Sequence, residues 1–289
     1  MRFGLITPVL VLNPRVVNEW EHGGDIDDVV AIAEAADRLG YHHLTCSEHV
    51  AIPQSAEARR GRRYWDPAVT LGFLAARTSR VRLATFCVVL PYHHPLQVVK
   101  RYGTLDRASG GRVILGVGVG SLEEEFRVLG RPFAGRGEYA DDAIRAIRAA
   151  WGQREPAYHG THFDFAGVVV DPPAVQEHVP VWVGGRTGRS LRRAVALGDA
   201  WCPFGLEPAQ VASLLARARQ GEAWAARDRP LDVGLAPEPP LDPGSDPELA
   251  REVVGIHADH GATVLNLRFR HRSLPHCLEQ LEAFMDAVR

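Results

Sequence analysis

Residues 95–120 read PLQVVKRYGTLDRASGGRVILGVGVG, and they hold one full unit of the chain's organisation. Pro95 opens a helix: its ring presets φ, and the N–H it lacks would have no partner in a first turn. The helix is expected to run to Ser109, where Gly110-Gly111 breaks it. Arg112–Val117 then reads as a strand whose apolar residues are continuous rather than alternating. Such a strand is covered on both faces, as in a parallel sheet flanked by helices.

The same unit repeats in both directions. Upstream, Arg2–Ile6 is a strand. Asp25 then caps a helix with Ile26, Val29, Val30, Ala33 and Leu39 at helical spacing, closed by Gly40. His42–Cys46 is a strand, Asp66-Pro67 starts a helix running to about Thr78, and Val81–Val89 is a strand. Downstream lies a helix over Gly137–Trp151. Strand and helix then alternate through Pro180–Val183 and Ser190–Leu197, Ala200–Pro203 and Pro208–Arg227, Leu231–Ala236 and Pro247–His260, and Ala262–Phe269 and Leu274–Val288. Only 156–178 breaks the rhythm: Tyr158–Phe165 and Val168–Val170 flank Ala166-Gly167 and read as a hairpin or irregular insertion. Eight strand–helix pairs predict an α/β fold, a (β/α)8 TIM barrel with insertions in the loops at its C-terminal face, as a single domain over residues 1–289. An open doubly wound sheet is the alternative. The count of eight and the lack of a linker favour the barrel.

Composition removes several functional classes. With 33 basic and 35 acidic residues the net charge is -2, which argues against a nucleic-acid partner held by bulk charge. Lys100 is the only lysine and falls mid-helix, away from any strand end, so Schiff-base chemistry is not expected. Cys46, Cys87, Cys202 and Cys277 are widely spaced, as expected of free thiols in a reducing, cytoplasmic setting. Pro8 interrupts the apolar N-terminus, so no signal peptide is expected, and no apolar run approaches the length of a membrane span.

In a barrel the chemistry gathers where strands end. Ser47-Glu48-His49 places a carboxylate and an imidazole at one such end, a pairing suited to acid/base work; a polar loop is the plainer alternative. Gly116-Val117-Gly118-Val119-Gly120 falls short of the dinucleotide fingerprint, because Ser121 stands where its third glycine belongs. Glu123, Glu124 and Glu125 follow and would repel a phosphate. The glycines are therefore expected to admit something flat or bulky against the backbone, or simply to form a turn. Gly184-Gly185-Arg186-Thr187-Gly188-Arg189-Ser190 offers arginines, hydroxyls and a helix start, an expected phosphate site; a flexible turn with solvated arginines is the plainer alternative. Arg59-Arg60-Gly61-Arg62-Arg63 is a positive patch that would steer an anion to the mouth, or else a solvated loop. His42-His43 and Tyr92-His93-His94 invite a metal reading. Adjacent strand residues point to opposite faces, so His42 and His43 are not expected to share an ion, and no metal site is expected.

Four segments together, in order and spacing, resemble the luciferase-like flavin- or deazaflavin-dependent oxidoreductases, nearest their coenzyme F420-dependent branch. They are Ala35–His49 (AADRLGYHHLTCSEH), Pro95–Gly120, Glu124–Arg136 (EEFRVLGRPFAGR) and Pro180–Trp201 (PVWVGGRTGRSLRRAVALGDAW). The resemblance implies a barrel with one planar cofactor at its C-terminal mouth. By position, His49 matches the histidine near the reactive face of the ring. Glu48 stands where relatives more often have aspartate. Phe86-Cys87-Val88 matches a bulge behind the ring, often with a non-prolyl cis peptide. Gly118 and Gly120 match glycines beside the ring, and Gly184 and Gly185 a segment near the cofactor's side chain and phosphate. Thr7, Arg186 and Ser190 complete the expected cofactor set, with His49 and Glu48 as catalytic residues. The expected activity is hydride transfer between F420 and a small organic substrate. The alternatives are an FMN-dependent monooxygenase, a non-catalytic flavin-binding barrel, and a phosphate-binding barrel isomerase. Neither a nucleic-acid nor a membrane partner is expected; relatives are often dimers, so a homodimer is. Substrate specificity is expected in the loops Val9–Gly24, Ile52–Tyr64 and Ala157–Val179, with Trp20, Tyr64, Trp65 and Phe163 as candidate pocket aromatics, or else as residues that pin these loops down.

Overall fold

The computed structural model describes residues 1–289. Its strands are β1 (Arg2–Leu5), β2 (His43–Cys46), β3 (Arg82–Thr85), β4 (Val88–Val89), β5 (Val113–Gly118), β6 (Tyr158–His159), β7 (Asp164–Phe165), β8 (Val181–Gly184), β9 (Ala200–Cys202), β10 (Asp232–Leu235) and β11 (Val264–Leu267). Its helices are α1 (Ile26–Leu39), α2 (Glu57–Arg60), α3 (Pro67–Ala75), α4 (Pro95–Ser109), α5 (Glu123–Val128), α6 (Arg136–Ala150), α7 (Gly188–Leu197), α8 (Pro208–Ala218), α9 (Glu222–Ala225), α10 (Pro247–Asp259) and α11 (Leu274–Val288). β3, β2, β1, β11, β10, β9, β8 and β5 pair in parallel in that order, and a β3–β5 pairing closes the ring. This is a (β/α)8 barrel. β1 enters it against β11 in the register Arg2↔Val264 to Leu5↔Leu267. No helix is long and apolar enough to cross a membrane.

The helix boundaries follow their caps. The Asp25 carboxylate accepts from the N–H groups of Asp27 and Asp28, and Gly40 ends α1 in the left-handed region at φ 86°. Asp66 caps α3 with Pro67 at its first position, and α4 runs from Pro95 to Ser109, capped by Gly110, again in the left-handed region. Three expectations need correction. The strand expected over Val81–Val89 is split into β3 and β4, and the Phe86–Cys87 peptide between them is cis. The helix expected over Pro208–Arg227 is two, with Gly221 capping the second, since glycine is a poor interior helix residue. The hairpin turns inside Tyr158–Phe165, where the Gly160 N–H donates to the Phe163 carbonyl, and Val168–Val170 is not a strand.

That insertion also starts elsewhere than expected. It leaves the C-terminal end of α6, so it begins at the face of the barrel opposite the strand ends. It climbs the outer wall between α4 and α6. Asp142 on α6 holds its tip, accepting from Tyr158 Oη and from the His162 and Phe163 N–H groups. Phe163 packs edge-on against His94 at the start of α4 and against Tyr139. The return leg descends α4: Lys100 donates to the Asp171 carbonyl, Arg107 to that of Pro173, and the Val175 and Gln176 N–H groups to Asp106. Residues 157–179 are therefore a strap along the wall, and Phe163 is a packing residue of it.

Candidate active site

β2 and β5 deliver their ends to one side of the C-terminal mouth. Glu48 and His49 leave β2 in succession but do not meet. Glu48 turns inward: its Oε1 lies 2.7 Å from His93 Nε2, and its Oε2 accepts from the Val89 N–H at 2.7 Å. Both carboxylate oxygens are thus used to fix β4 behind the Phe86–Cys87 peptide. The expected Glu48/His49 pair is not formed, because consecutive residues leaving a strand diverge.

His49 pairs instead with Glu125, 2.6 Å from Nδ1 to Oε2. Glu125 was expected on a phosphate-repelling loop. It lies on α5, fully buried, and accepts also from Tyr92 Oη at 3.0 Å and from the Val50 and Ala51 N–H groups at 2.7 and 3.1 Å. Burial alone would raise its pKa. The hydrogen bond and charge of His49 and the two backbone donors outweigh that and hold the carboxyl below its usual value. An ionised Glu125 can only accept, so His49 Nδ1 must carry a proton. Nε2 is then the nitrogen left to exchange one; it makes no hydrogen bond within the protein. Tyr64 stands edge-on to this imidazole, ring centroids 4.5 Å apart. A sequence signal for Glu125 did exist. Leu122, Glu125 and Phe126 fall at helical spacing on one face, and Leu122 and Phe126 are buried.

The glycines are not an open platform. A Cβ on Gly118 would stand 2.8 Å from Cys87 Sγ, and one on Gly184 3.1 Å from the same atom. Gly120 (φ 75°) is closed in by Phe126 and Val89. The close approach that β5 and β8 permit is made by Cys87, seated between them. Burial and Glu48 push its thiol up to about 12, so it is neither a thiolate nor a nucleophile at neutral pH. The Phe86 carbonyl accepts from Ser47 Oγ at 2.6 Å, and Val88 pairs with Val117. Thr7 is tied to Thr45, whose N–H donates to Thr7 Oγ1 at 3.1 Å.

Across the mouth, Thr187 caps α7 and accepts from the Ser190 N–H. Ser190 Oγ donates to the Thr187 carbonyl and accepts from Trp201 Nε1, so its hydroxyl is internally satisfied. Gly185, at φ 127°, lies too close to Ser190 for any side chain. Free at this helix start are the N–H groups of Gly188 and Arg189, with no acceptor one turn back, and the exposed arginines Arg186 and Arg189. The Arg186 guanidinium lies 5.8 Å from the Phe204 ring centre.

The arginine patch is largely committed to structure. Arg63 donates to the carbonyls of Glu21, His22 and Gly24, and Arg62 pairs with Glu57. Arg60 reaches Ser121 Oγ at 2.8 Å, bridging the β2 and β5 loops, and Arg59 is exposed. Trp20 donates to His271 and Trp65 packs on the core, leaving Tyr64 as the expected aromatic that reaches the site. No three His, Cys, Asp or Glu side chains are grouped to hold a metal, and all four cysteines are free thiols.

A family model described as luciferase-like monooxygenase matches residues 1–280. An uncharacterized protein of Mycobacterium tuberculosis is 29% identical over 221 residues, 72% of this chain and 76% of that protein. A monooxygenase from Streptomyces bottropensis superposes with a TM-score of 0.79 at 22% identity, covering 100% of this chain and 98% of its own. An F420-dependent secondary alcohol dehydrogenase in complex with an F420-acetone adduct superposes with a TM-score of 0.75 at 15% identity, covering 100% and 99%.

Proposed function

The chain belongs to the luciferase-like monooxygenase family, and on that premise we propose that it is an F420-dependent oxidoreductase acting on a small organic substrate. The observation that carries this reading is the His49–Glu125 dyad at the C-terminal mouth. The residues fit a cofactor with a flat ring and a phosphate. Cys87 and the glycines around it form a close-packed wall at the strand ends, and the start of α7 with Arg186 and Arg189 supplies anion donors. When bound, a deazaflavin supplies the hydride chemistry. The chain's own part is the proton. Glu125 fixes His49 with Nδ1–H inward, so His49 holds or releases a proton at Nε2, toward a substrate oxygen as its charge develops. Exposed Val50 and Phe204 give the mouth an apolar rim for an organic substrate.

The test is titration of purified protein with F420 and with FMN, followed by cofactor absorbance. Saturable F420 binding is expected; tight FMN binding without F420 binding overturns the assignment. The second reading is an FMN-dependent monooxygenase, favoured by the fold shared with the Streptomyces bottropensis enzyme. Oxygen consumption with reduced FMN would select it. Under either cofactor His49→Ala should keep binding and lower turnover about 10²–10⁴-fold. Unchanged turnover removes His49 from the chemistry.

A further inference from the structure

The end of the barrel opposite the mouth is polar and open. A cavity of about 200 Å³ lies among the strand starts, and two of its eleven lining residues are hydrophobic. Three lining residues are arginines, Arg2, Arg82 and Arg229, against two carboxylates, Asp199 and Asp232. Both carboxylates are already engaged. Asp232 accepts from Arg2 and Thr263, and Asp199 from Arg148, His178 and the Val181 N–H, each of these last three at 2.8 Å. Arg82 and Arg229 have no carboxylate partner. Arg82 gives one arm to the Val113 carbonyl and the Gln176 side chain, and its Nε–H is buried without an acceptor. Arg229 is exposed at the rim, with its guanidinium free of hydrogen bonds to the protein.

His42 borders the same cavity. Its Nδ1 lies 3.0 Å from His43 Nδ1, and His43 Nε2 lies 2.7 Å from Asn266 Oδ1. Asn266 Oδ1 accepts from His43 Nε2–H, so His43 Nδ1 is the acceptor and His42 donates to it. The groups facing His42 are Arg2 from β1, Arg82 from β3, Asp232 from β10 and the neighbouring His43, with Asp199, His178 and Arg229 across the cavity. Burial first, then Arg2 and Arg82, hold His42 down to about 4, so it is neutral at pH 7. A negative guest would offset the Arg2 and Arg82 charge, though not the burial, and so shift His42 toward its protonated form.

We propose that this cavity is an oxyanion site that takes a compact tetrahedral anion of the phosphate or sulfate class on Arg82 and Arg229, with Arg2 and His42 completing it. Uncommitted guanidinium donors in a recess this size suit a free ion; drug-sized organic ligands occupy about 300–1,000 Å³. A phosphate monoester should therefore bind less well than the free ion. By joining the starts of β2, β3 and β10, the ion would stabilise the barrel without touching the catalytic mouth.

The experiment is calorimetric titration and thermal unfolding with sodium phosphate, sodium sulfate, glycerol phosphate and, at matched ionic strength, sodium chloride. One saturable site for phosphate and sulfate is expected, with Tm raised about 2–4 °C at saturation. Sulfate keeps its charge between pH 6 and 8, so its binding should be tighter at pH 6, with proton uptake visible across buffers of different ionisation heat. Arg229→Gln should abolish the site and leave cofactor binding unchanged, whereas Arg186→Gln, at the start of α7, should keep it. Loss in Arg186→Gln with retention in Arg229→Gln would place the ion at the opposite mouth and overturn the proposal. So would the absence of saturable heat, or an equal Tm rise from chloride.

Discussion

At the scale of single residues, the site depends on one buried carboxylate. Glu125→Gln keeps the shape and removes the obligate acceptor, and the amide can donate to Nδ1. The imidazole is then free to carry its proton on Nε2. We expect turnover to fall about 10²-fold with cofactor binding retained, and the ¹⁵N resonances of His49 to report the change of tautomer. Unchanged resonances would show that Glu125 does not set it. Gly116 makes an equally local demand: a Cβ there would stand 2.0 Å from the Thr85 carbonyl oxygen, which is backbone and cannot move aside. Gly116→Ala should destabilise by about 1–3 kcal/mol, read from the denaturant midpoint. His49's place at the mouth was legible because Ser47-Glu48-His49 follows β2 directly. Glu125 was visible but misread, because three glutamates in a row look solvated. The four donors that make it a core residue come from Tyr92 and the β2 loop, beyond the reach of local pattern.

At the scale of elements, the helices were legible almost to the residue where capping chemistry is local. α4 begins at Pro95, ends at Ser109, and is followed by a left-handed Gly110. The wall strap was not legible, since its polar anchors are distant in sequence. Asp106 shows this: its oxygens accept from the Val113, Val175 and Gln176 N–H groups and from Gln176 Nε2. Asp106→Ala would remove the acceptor of the buried Val113 N–H and of three part-buried donors and should cost about 1–3 kcal/mol. Limited proteolysis should then cut within residues 157–179 faster than in the parent. Equal cutting rates would mean the strap is held elsewhere. The opposite-face argument for His42-His43 does not reach this pair, for a related reason. Strand alternation holds inside a strand, but β2 starts at His43, so the two rings are free to meet.

At the scale of the whole molecule, the two ends of β2 are chemically unlike. Glu48 and His49 follow it at the mouth; His42 and His43 sit at its start. Burial first, then neighbouring positive charge, holds the latter two down to about 4 and about 3 from an ordinary 6.5. The unfolded chain takes up these protons below pH 6.5, while the folded chain refuses them until pH 4 or lower. Stability should therefore be intact above pH 6.5 and fall as pH drops toward 3. Fully buried His43 alone should contribute a slope of about 1.4 kcal/mol per pH unit. Urea midpoints at pH 7 and pH 5 check this, and His43→Asn should flatten the difference; an unchanged slope would acquit His43.

The pairing of β1 with β11 also sets a waiting time. Arg2 cannot meet Val264 until the chain has been made that far. At roughly 5–20 residues per second that takes about 13–52 s of synthesis. Once β2 is made, β1 has it on one side and an unsatisfied edge on the other until β11 arrives, a template for pairing with any extended chain nearby. The barrel's closure thus waits for β11. A nascent chain that stalls before β11 would offer the cell an open parallel sheet with two exposed edges, its oldest strand β1 and its newest, β10.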